Sequence, residues 1–352
     1  MSKVLARENK VRIKFKTKTM SESMVAVAGL DWPVMSADER NLRMQWIGRM
    51  MKWLYGQKWI SDNPATALMG ESVENKSERR ITALGRRPRQ AFTDDELGLI
   101  FSAPWFISGK GVITKAGTYR EFSPFRYWLP LLGIFAGGRI NELCQLRLAD
   151  VCQTDAGTWY IDINEDTPDK SLKRQKDTGK CWSKRKVPLH PVLVDLGFPA
   201  WCERWREEGF QRVFPELSWN AKTHYAKEPI RAMSGFFLSL GMPRDNTKVF
   251  HSLRHGFNNA IAKTICTPEW RKRLMGHEPG SGVNEKHYLA DPTPDESLEV
   301  IKLLDYGLPE IAKFDPDEGV KAIADAMGRK NRGKGGTESL GGTALPWSEA
   351  AA

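Results

Sequence analysis

Residues 251–288, HSLRHGFNNAIAKTICTPEWRKRLMGHEPGSGVNEKHY, are the stretch on which the reading of this chain turns. The opening HSLRH reads as the start of a helix. Leu253, Phe257, Ala260 and Ile261 recur at steps of three and four and make one apolar stripe. His251, Arg254, His255 and Asn258 recur in the same way and make a polar stripe beside it. Gly276-His277 follows, then a Gly/Ser/Pro-rich loop that leads to Tyr288. A lone histidine on a helix is usually a packing or surface residue. The combination of histidines, an arginine and a tyrosine lifts this stretch above that expectation.

Working outward, the 352 residues suffice for two domains and a tail, and a hydrophobic content of 41% suffices for a real core. Lys+Arg 53 against Asp+Glu 43 gives a net charge of +10, which leans towards a polyanion partner without establishing one. The 5 cysteines are scattered with no C-x-x-C pair and read as reduced thiols of a cytosolic protein. No run of 18 apolar residues is present, so no membrane span is expected. The basic N-terminus lacks the apolar segment of a secretion signal.

Upstream, residues 11–19 (VRIKFKTKT) alternate apolar or threonine side chains with cations. They read as a strand with one basic face, an ordered arm, or a solvated tail. A helical segment runs from about Asp38 to Tyr55, with Trp46, Ile47, Met50, Met51 and Leu54 along one side, and Asp62-Asn63-Pro64 closes it. The polar, Arg-rich residues 71–90 read as an interdomain linker. Thr93 and Glu96 predict a capped helix start. Residues 127–136 predict an apolar helix that Gly137-Gly138 break. Arg139 then opens the segment RINELCQLRLADV. A cation at a helix N-terminus is unfavourable by up to about 1 kcal/mol, so Glu142 or a bound anion is expected to compensate it.

Trp159, Ile161 and Ile163 predict one strand, Val187 and Leu189 a second, and Asp169 to Arg185 a long hairpin loop between them. Six lysines lie between Lys170 and Lys186, dense enough for a phosphate contact from this loop. Residues 195–250 alternate helical pieces with turns, and their Trp and Phe side chains are expected to fill core. Residues 297–313 predict an amphipathic helix and its cap. Residues 314–352 turn charged and then Gly-rich, and are expected to be largely disordered. Within them, Gly328 to Lys334 imitates a phosphate-binding loop, but Gly335 replaces the Ser or Thr that would hold Mg²⁺, so the motif is discounted. His251 and His255 are four apart, yet a cation stands between them, which repels a metal. No Gly-x-Ser-x-Gly elbow occurs, and no G-x-G-x-x-G follows a strand.

Taken together, the boxes resemble those of the tyrosine recombinases, the phage integrase family. A-G-G-R-I-N-E-L places the family's first catalytic arginine on Arg139 and its supporting acid on Glu142. H-S-L-R-H places the histidine on His251 and the second arginine on Arg254. Gly276-His277 matches a further box, and the nucleophilic tyrosine falls on Tyr288. The hairpin lysine best matches Lys173, with Lys170, Lys176 and Lys180 as alternatives because the loop is long. The interval from His277 to Tyr288 is about two residues longer than in most members, in a loop where insertion costs little. Tyr225 and Tyr306 are wrongly placed for the boxes. N-L-R-M-Q-W-I-G-R-M-M-K-W-L resembles the closing helix of the family's core-binding domain, whose first helices look absent or shortened here.

The resemblance implies a mainly α fold with a small antiparallel β-sheet (α+β), a catalytic domain preceded by a shortened helical core-binding domain. The expected divisions are a basic arm at 1–20, the partial core-binding domain at 21–70, a linker at 71–90, the catalytic domain at 91–313 and the tail at 314–352. It implies a cytoplasmic bacterial enzyme that cuts and rejoins double-stranded DNA through a 3′-phosphotyrosine link, using neither metal nor ATP and no cofactor. It further implies a homotetramer on two synapsed sites, with a DNA-bending accessory protein as an optional partner. Leu298, Ile301 and Leu304 either dock on a neighbouring protomer or pack on their own domain. The rival functions are a type IB-like topoisomerase and a DNA-binding protein that has lost catalysis.

Overall fold

The computed structural model describes residues 8–30, 32, 37–65, 89–113, 119–120, 123–172, 181–243, 245–278 and 292–332. The chain divides into two compact units, Met1–Pro88 and Arg89–Ala352. The fold is mainly helical with a small antiparallel sheet. Among the described residues no helix is long and apolar enough to cross a membrane.

In the first unit, helices α1 (Glu8–Phe15) and α2 (Met20–Ala26) precede the longer α3 (Ala37–Gly56). The basic stretch read as a strand or arm is therefore a helix over most of its length. Its alternation mimics period two, but Val11 and Phe15 stand four apart and close on Met24, Val27 and Trp32 as one small cluster. Ile13 faces away and is exposed. Thr19 caps α2 by accepting from Glu22 N. On α3, Trp46, Ile47 and Met50 are exposed, as is Trp53. The expected linker at 71–90 lies outside the described residues except for its last two.

The second unit is assembled around one buried helix. It begins with α4 (Asp94–Phe101) and α5 (Pro104–Ser108), then a two-stranded ribbon of β1 (Val112–Ile113) and β2 (Tyr119–Arg120). Thr93 and Glu96 cap α4 reciprocally, and Lys248 reaches Glu96 Oε2 at 2.6 Å. Helix α6 (Pro124–Phe135) follows, and all of it is buried except Arg126. Such a helix carries no polar face, and Pro130 costs it one backbone hydrogen bond that the surrounding packing offsets. A short helix α7 (Ile140–Cys144) and a 3₁₀ turn lead to β3 (Val151–Gln153), β4 (Trp159–Ile163) and β5 (Arg185–Pro188).

These three strands form one antiparallel sheet in the order β3-β4-β5, with Val151, Ile161 and Val187 in register on its buried face. Strand β3 begins at Val151, the last residue of the segment opened by Arg139. Helices α8 (Pro191–Asp195), α9 (Phe198–Glu207), α10 (Lys227–Ser239), α11 (His251–Ile261), α12 (Pro268–Leu274) and α13 (Pro294–Ile301) follow the sheet. Trp201 stacks on Trp205 and Trp205 on Phe210, each with 4.4 Å between ring centroids. Helix α11 packs against α6, with Leu253, Phe257 and Ile261 fully buried.

The end of the chain departs from expectation in two places. Residues 316–332 form a helix, α14 (Pro316–Arg332), and not a disordered tail. Its Ala322 and Ile323 are buried, while Phe314 just before it sits among Tyr127, Trp128 and Trp201 at centroid distances of 5.0–5.2 Å. The Gly-rich composition further on masked a short amphipathic segment. Gly328 to Arg332 of the apparent phosphate loop are its last turns. Ile301 and Leu304 are buried in the unit's own core, so they are not available to dock on a neighbour.

Candidate active site

Arg139 precedes α7 with an extended backbone, φ −71° and ψ 146°. Gly137, two residues earlier, turns the chain with φ +62°, and a Cβ there would lie 2.1 Å from the Phe257 ring. This close approach of the α6–α7 turn to α11 sets the two arginines of the sequence reading on facing segments. Glu142 answers the electrostatic question raised by a cation at a helix start. Its Oε2 accepts from Arg139 N at 2.9 Å and its Oε1 from Arg139 Nη1 at 2.6 Å. Burial pushes the Glu142 carboxyl pKa up, but the Arg185 and Arg139 guanidiniums outweigh it and hold it at about 2.

Arg254, on α11, was placed on a polar stripe by periodicity, yet only 2% of it is exposed. Its Nη1 donates to Gly137 O at 2.5 Å, and its Nη2 donates to Met275 O and lies 3.1 Å from His277 Nε2. Arg139 Nη2 donates to the next carbonyl, Gly276 O, at 3.2 Å. The two guanidiniums thus rest on consecutive carbonyls of the turn that ends α12. Burial, then Arg185 and Arg139, bring the Arg254 pKa down to about 9, which still leaves it charged at neutral pH. Among the described residues that shift it, Glu142 is the carboxylate and acts to raise it.

His251 lies one turn from His255 on α11, with ring centroids 4.9 Å apart and nearly perpendicular. Burial first, then His255, Arg254 and more distant cations, take the His251 pKa down to about 4, so it is a neutral imidazole at pH 7. His255 is shifted the same way by burial, Arg89 and Arg254. His277 is exposed at the edge of this group.

Lys170 does not fit the role of hairpin lysine. Its ammonium is buried and donates to Asp150, Asn164 and Asp166 at 2.6–2.7 Å, which uses all three of its donors. Lys173, Lys176, Lys180 and Tyr288 lie outside the described residues. The other tyrosines weighed as nucleophiles are held elsewhere. The Tyr225 hydroxyl donates to Asp169 at 2.8 Å, and burial and that carboxylate push its pKa up to about 12. The Tyr306 hydroxyl donates to Ile134 O at 2.8 Å and is raised by burial.

The residue to which the sequence reading gives no role in the site, naming it only as the end of the hairpin loop, is Arg185. It donates to Glu142 Oε2 at 2.9 Å, to Leu274 O at 2.8 Å and to Ser183 O at 2.7 Å. A signal is present: Arg185 stands two before Val187 and four before Leu189, the alternating apolar positions of the predicted strand, and so shares their face. An arginine in register with buried residues needs a buried partner.

No protein-family profile matches the chain, and no curated protein sequence does. Among solved structures, the chain is similar to integrases of a phage and a transposon. The integrase from mycobacterium phage Brujita shares 14% identity at a TM-score of 0.37, over 86% of this chain and 82% of that one. The Tn1549 transposon integrase in complex with circular intermediate DNA shares 17% at 0.41, over 82% and 81%. A variant of that integrase in complex with transposon right-end DNA shares 16% at 0.38, over 82% and 95%. What the site can do is read from its own atoms: its guanidiniums can hold an anion beside an unprotonated imidazole.

Proposed function

We propose that the chain is a site-specific DNA recombinase that cuts and rejoins double-stranded DNA through a 3′-phosphotyrosine link. The observation that carries this reading is the charge imbalance around Arg254. Among the described residues Arg139 and Arg185 both hydrogen-bond the Glu142 carboxylate, and the third guanidinium, of Arg254, bonds to two carbonyls and an imidazole. Such an arrangement suits the non-bridging oxygens of a phosphodiester, whose charge grows as phosphorus becomes pentavalent.

In the proposed step, His251 accepts the phenolic proton of Tyr288. A phenol with a pKa near 10 is about three units short of ionised at pH 7, roughly 4 kcal/mol, and the acceptor can offset this only as the bound phosphate neutralises the nearby arginines and raises the imidazole pKa. The phenolate oxygen bonds to phosphorus while the bond to the 5′-oxygen breaks. That oxygen takes a proton from Lys173 and leaves as a 5′-hydroxyl. Arg139, Arg254 and His277 hold the phosphoryl oxygens, and Glu142 orients Arg139. Loss of one such donor costs about 10²–10³ in rate. The ester is kept in the protein link and passed to a new 5′-hydroxyl, so the reaction needs no energy input. Exchange of two duplexes takes four such steps, which favours a homotetramer on two synapsed sites, integrating or excising a phage, prophage or genomic island.

The experiment is capture of covalent adducts from a randomised pool of nicked duplexes, resolved on denaturing gels. The wild-type chain is expected to yield an adduct and Tyr288→Phe none, with DNA binding retained. An adduct from Tyr288→Phe overturns the assignment of the nucleophile, and joined products from two duplexes separate a recombinase from a relaxing topoisomerase.

A further inference from the structure

Within the site just proposed, and resting on that reading, one charged residue has no role in the chemical step. Arg185 is 6% exposed at the side chain and bonds to two other segments as well as to the carbonyl two residues before it. Through Nη2 it binds the Glu142 oxygen that also caps Arg139 N, and through Nε it binds Leu274 O. Through Nη1 it binds Ser183 O, whose own hydroxyl accepts from Arg139 Nη1 at 3.2 Å. Gly276, with φ +59°, lets the guanidinium in: a Cβ there would lie 2.6 Å from Arg185 Nη1.

We propose that Arg185 is a positioning residue that sets the site's affinity for a phosphate anion. It does so by dividing Glu142 between two guanidiniums and by fixing the carbonyl turn that Arg139 and Arg254 share. Without Arg185, both Glu142 oxygens are left to Arg139, and a bidentate pair neutralises the charge that the anion needs. The turn from Leu274 to Gly276 also loses its tether to β5, and the carbonyls holding Arg254 and Arg139 are no longer fixed against each other. Lysine keeps the charge but presents a point donor in place of a planar fork, so it cannot reach all three partners at once.

The test titrates inorganic phosphate into the full chain and follows the arginine Nε–H resonances. Arg185→Gln is expected to weaken phosphate binding about 10-fold or more, the loss expected when one charge-assisted contact goes. Arg185→Lys falls between it and the wild type. The decisive variant is Glu142→Gln combined with Arg185→Gln, which removes one positive and one negative charge and is expected to bind phosphate about 3-fold or more tighter than Arg185→Gln alone, short of wild type because the tether to Leu274 stays lost. A purely structural role predicts the reverse, with the double variant binding no better than Arg185→Gln alone. The inference is overturned by that result, by a folded Arg185→Gln that binds phosphate like the wild type, or by a wild-type chain that binds none. Should Arg185→Gln fail to fold, Arg185→Lys with and without Glu142→Gln decides it, since lysine retains the buried charge. Failure of the recombinase reading looks different: the wild type gives no covalent adduct yet shows this same pattern with phosphate.

Discussion

His251 illustrates what a crowded positive site does to a single residue. An imidazole with a pKa near 4 among arginines carries no proton at neutral pH and is a weak base, and a phosphate bound to those arginines would offset their charge and raise it towards a working value. The sign of its effect on stability follows from the same shift. Above about pH 6.5 it is neutral folded or unfolded, and stability is unaffected. Between 6.5 and 4 the unfolded chain takes up a proton that the folded site refuses, and stability falls by roughly 1–2 kcal/mol once solvent screening is allowed for. Below 4 no further loss comes from this group. The expected observation is a His251 ring-proton titration with a midpoint near 4 in the free chain, shifting towards 6.5 as phosphate is added, and Arg254→Gln shifting it the same way without phosphate. A midpoint that phosphate leaves unmoved separates the imidazole from the anion site.

The α6–α7 turn shows how a backbone conformation is tied to the placement of a charge. The sequence marked Gly137-Gly138 as a helix break, which it is. The break also brings the Gly137 carbonyl to Arg254 and leaves no room for a side chain beside Phe257. Gly137→Ala therefore combines a left-handed backbone with overpacking and is expected to destabilise the chain by about 2–4 kcal/mol in denaturant unfolding. Phosphate binding should weaken with it, because the Arg254 acceptor moves. Elements of this kind were partly legible. Strand β4 was visible from the alternation of Trp159, Ile161 and Ile163, and α4 from its capping pair. Helix α1 was not, because five or six residues of alternating Lys and apolar side chains fit either period until the tertiary partner, here Met24, Val27 and Trp32, selects one.

Across the whole second unit, the C-terminal segment is a structural member. Phe314 is 2% exposed, its N donates to Leu196 O, and α14 packs on α9. Phe314→Ala is expected to cost about 3–5 kcal/mol by thermal or denaturant unfolding, and a chain ending at Lys313 at least as much, since Tyr127, Trp128 and Trp201 would lose their cover. Composition could not reveal this, because a helix needs only a few apolar positions at the right spacing, and Val320, Ile323 and Met327 supply them inside a charged stretch.

The order and spacing of Arg139, Glu142, His251, Arg254, His277 and Tyr288 belong to the sequence alone, as does the helix that carries His251 and Arg254, because local periodicity and chain order need no folded partner. Three things were decided only by the tertiary structure. Arg254 is interior, Lys170 is committed to a buried ion cluster, and Glu142 is shared between Arg139 and an arginine from β5. Each depends on contacts between segments far apart in the chain, where burial and opposite charge, and not spacing, fix which group meets which.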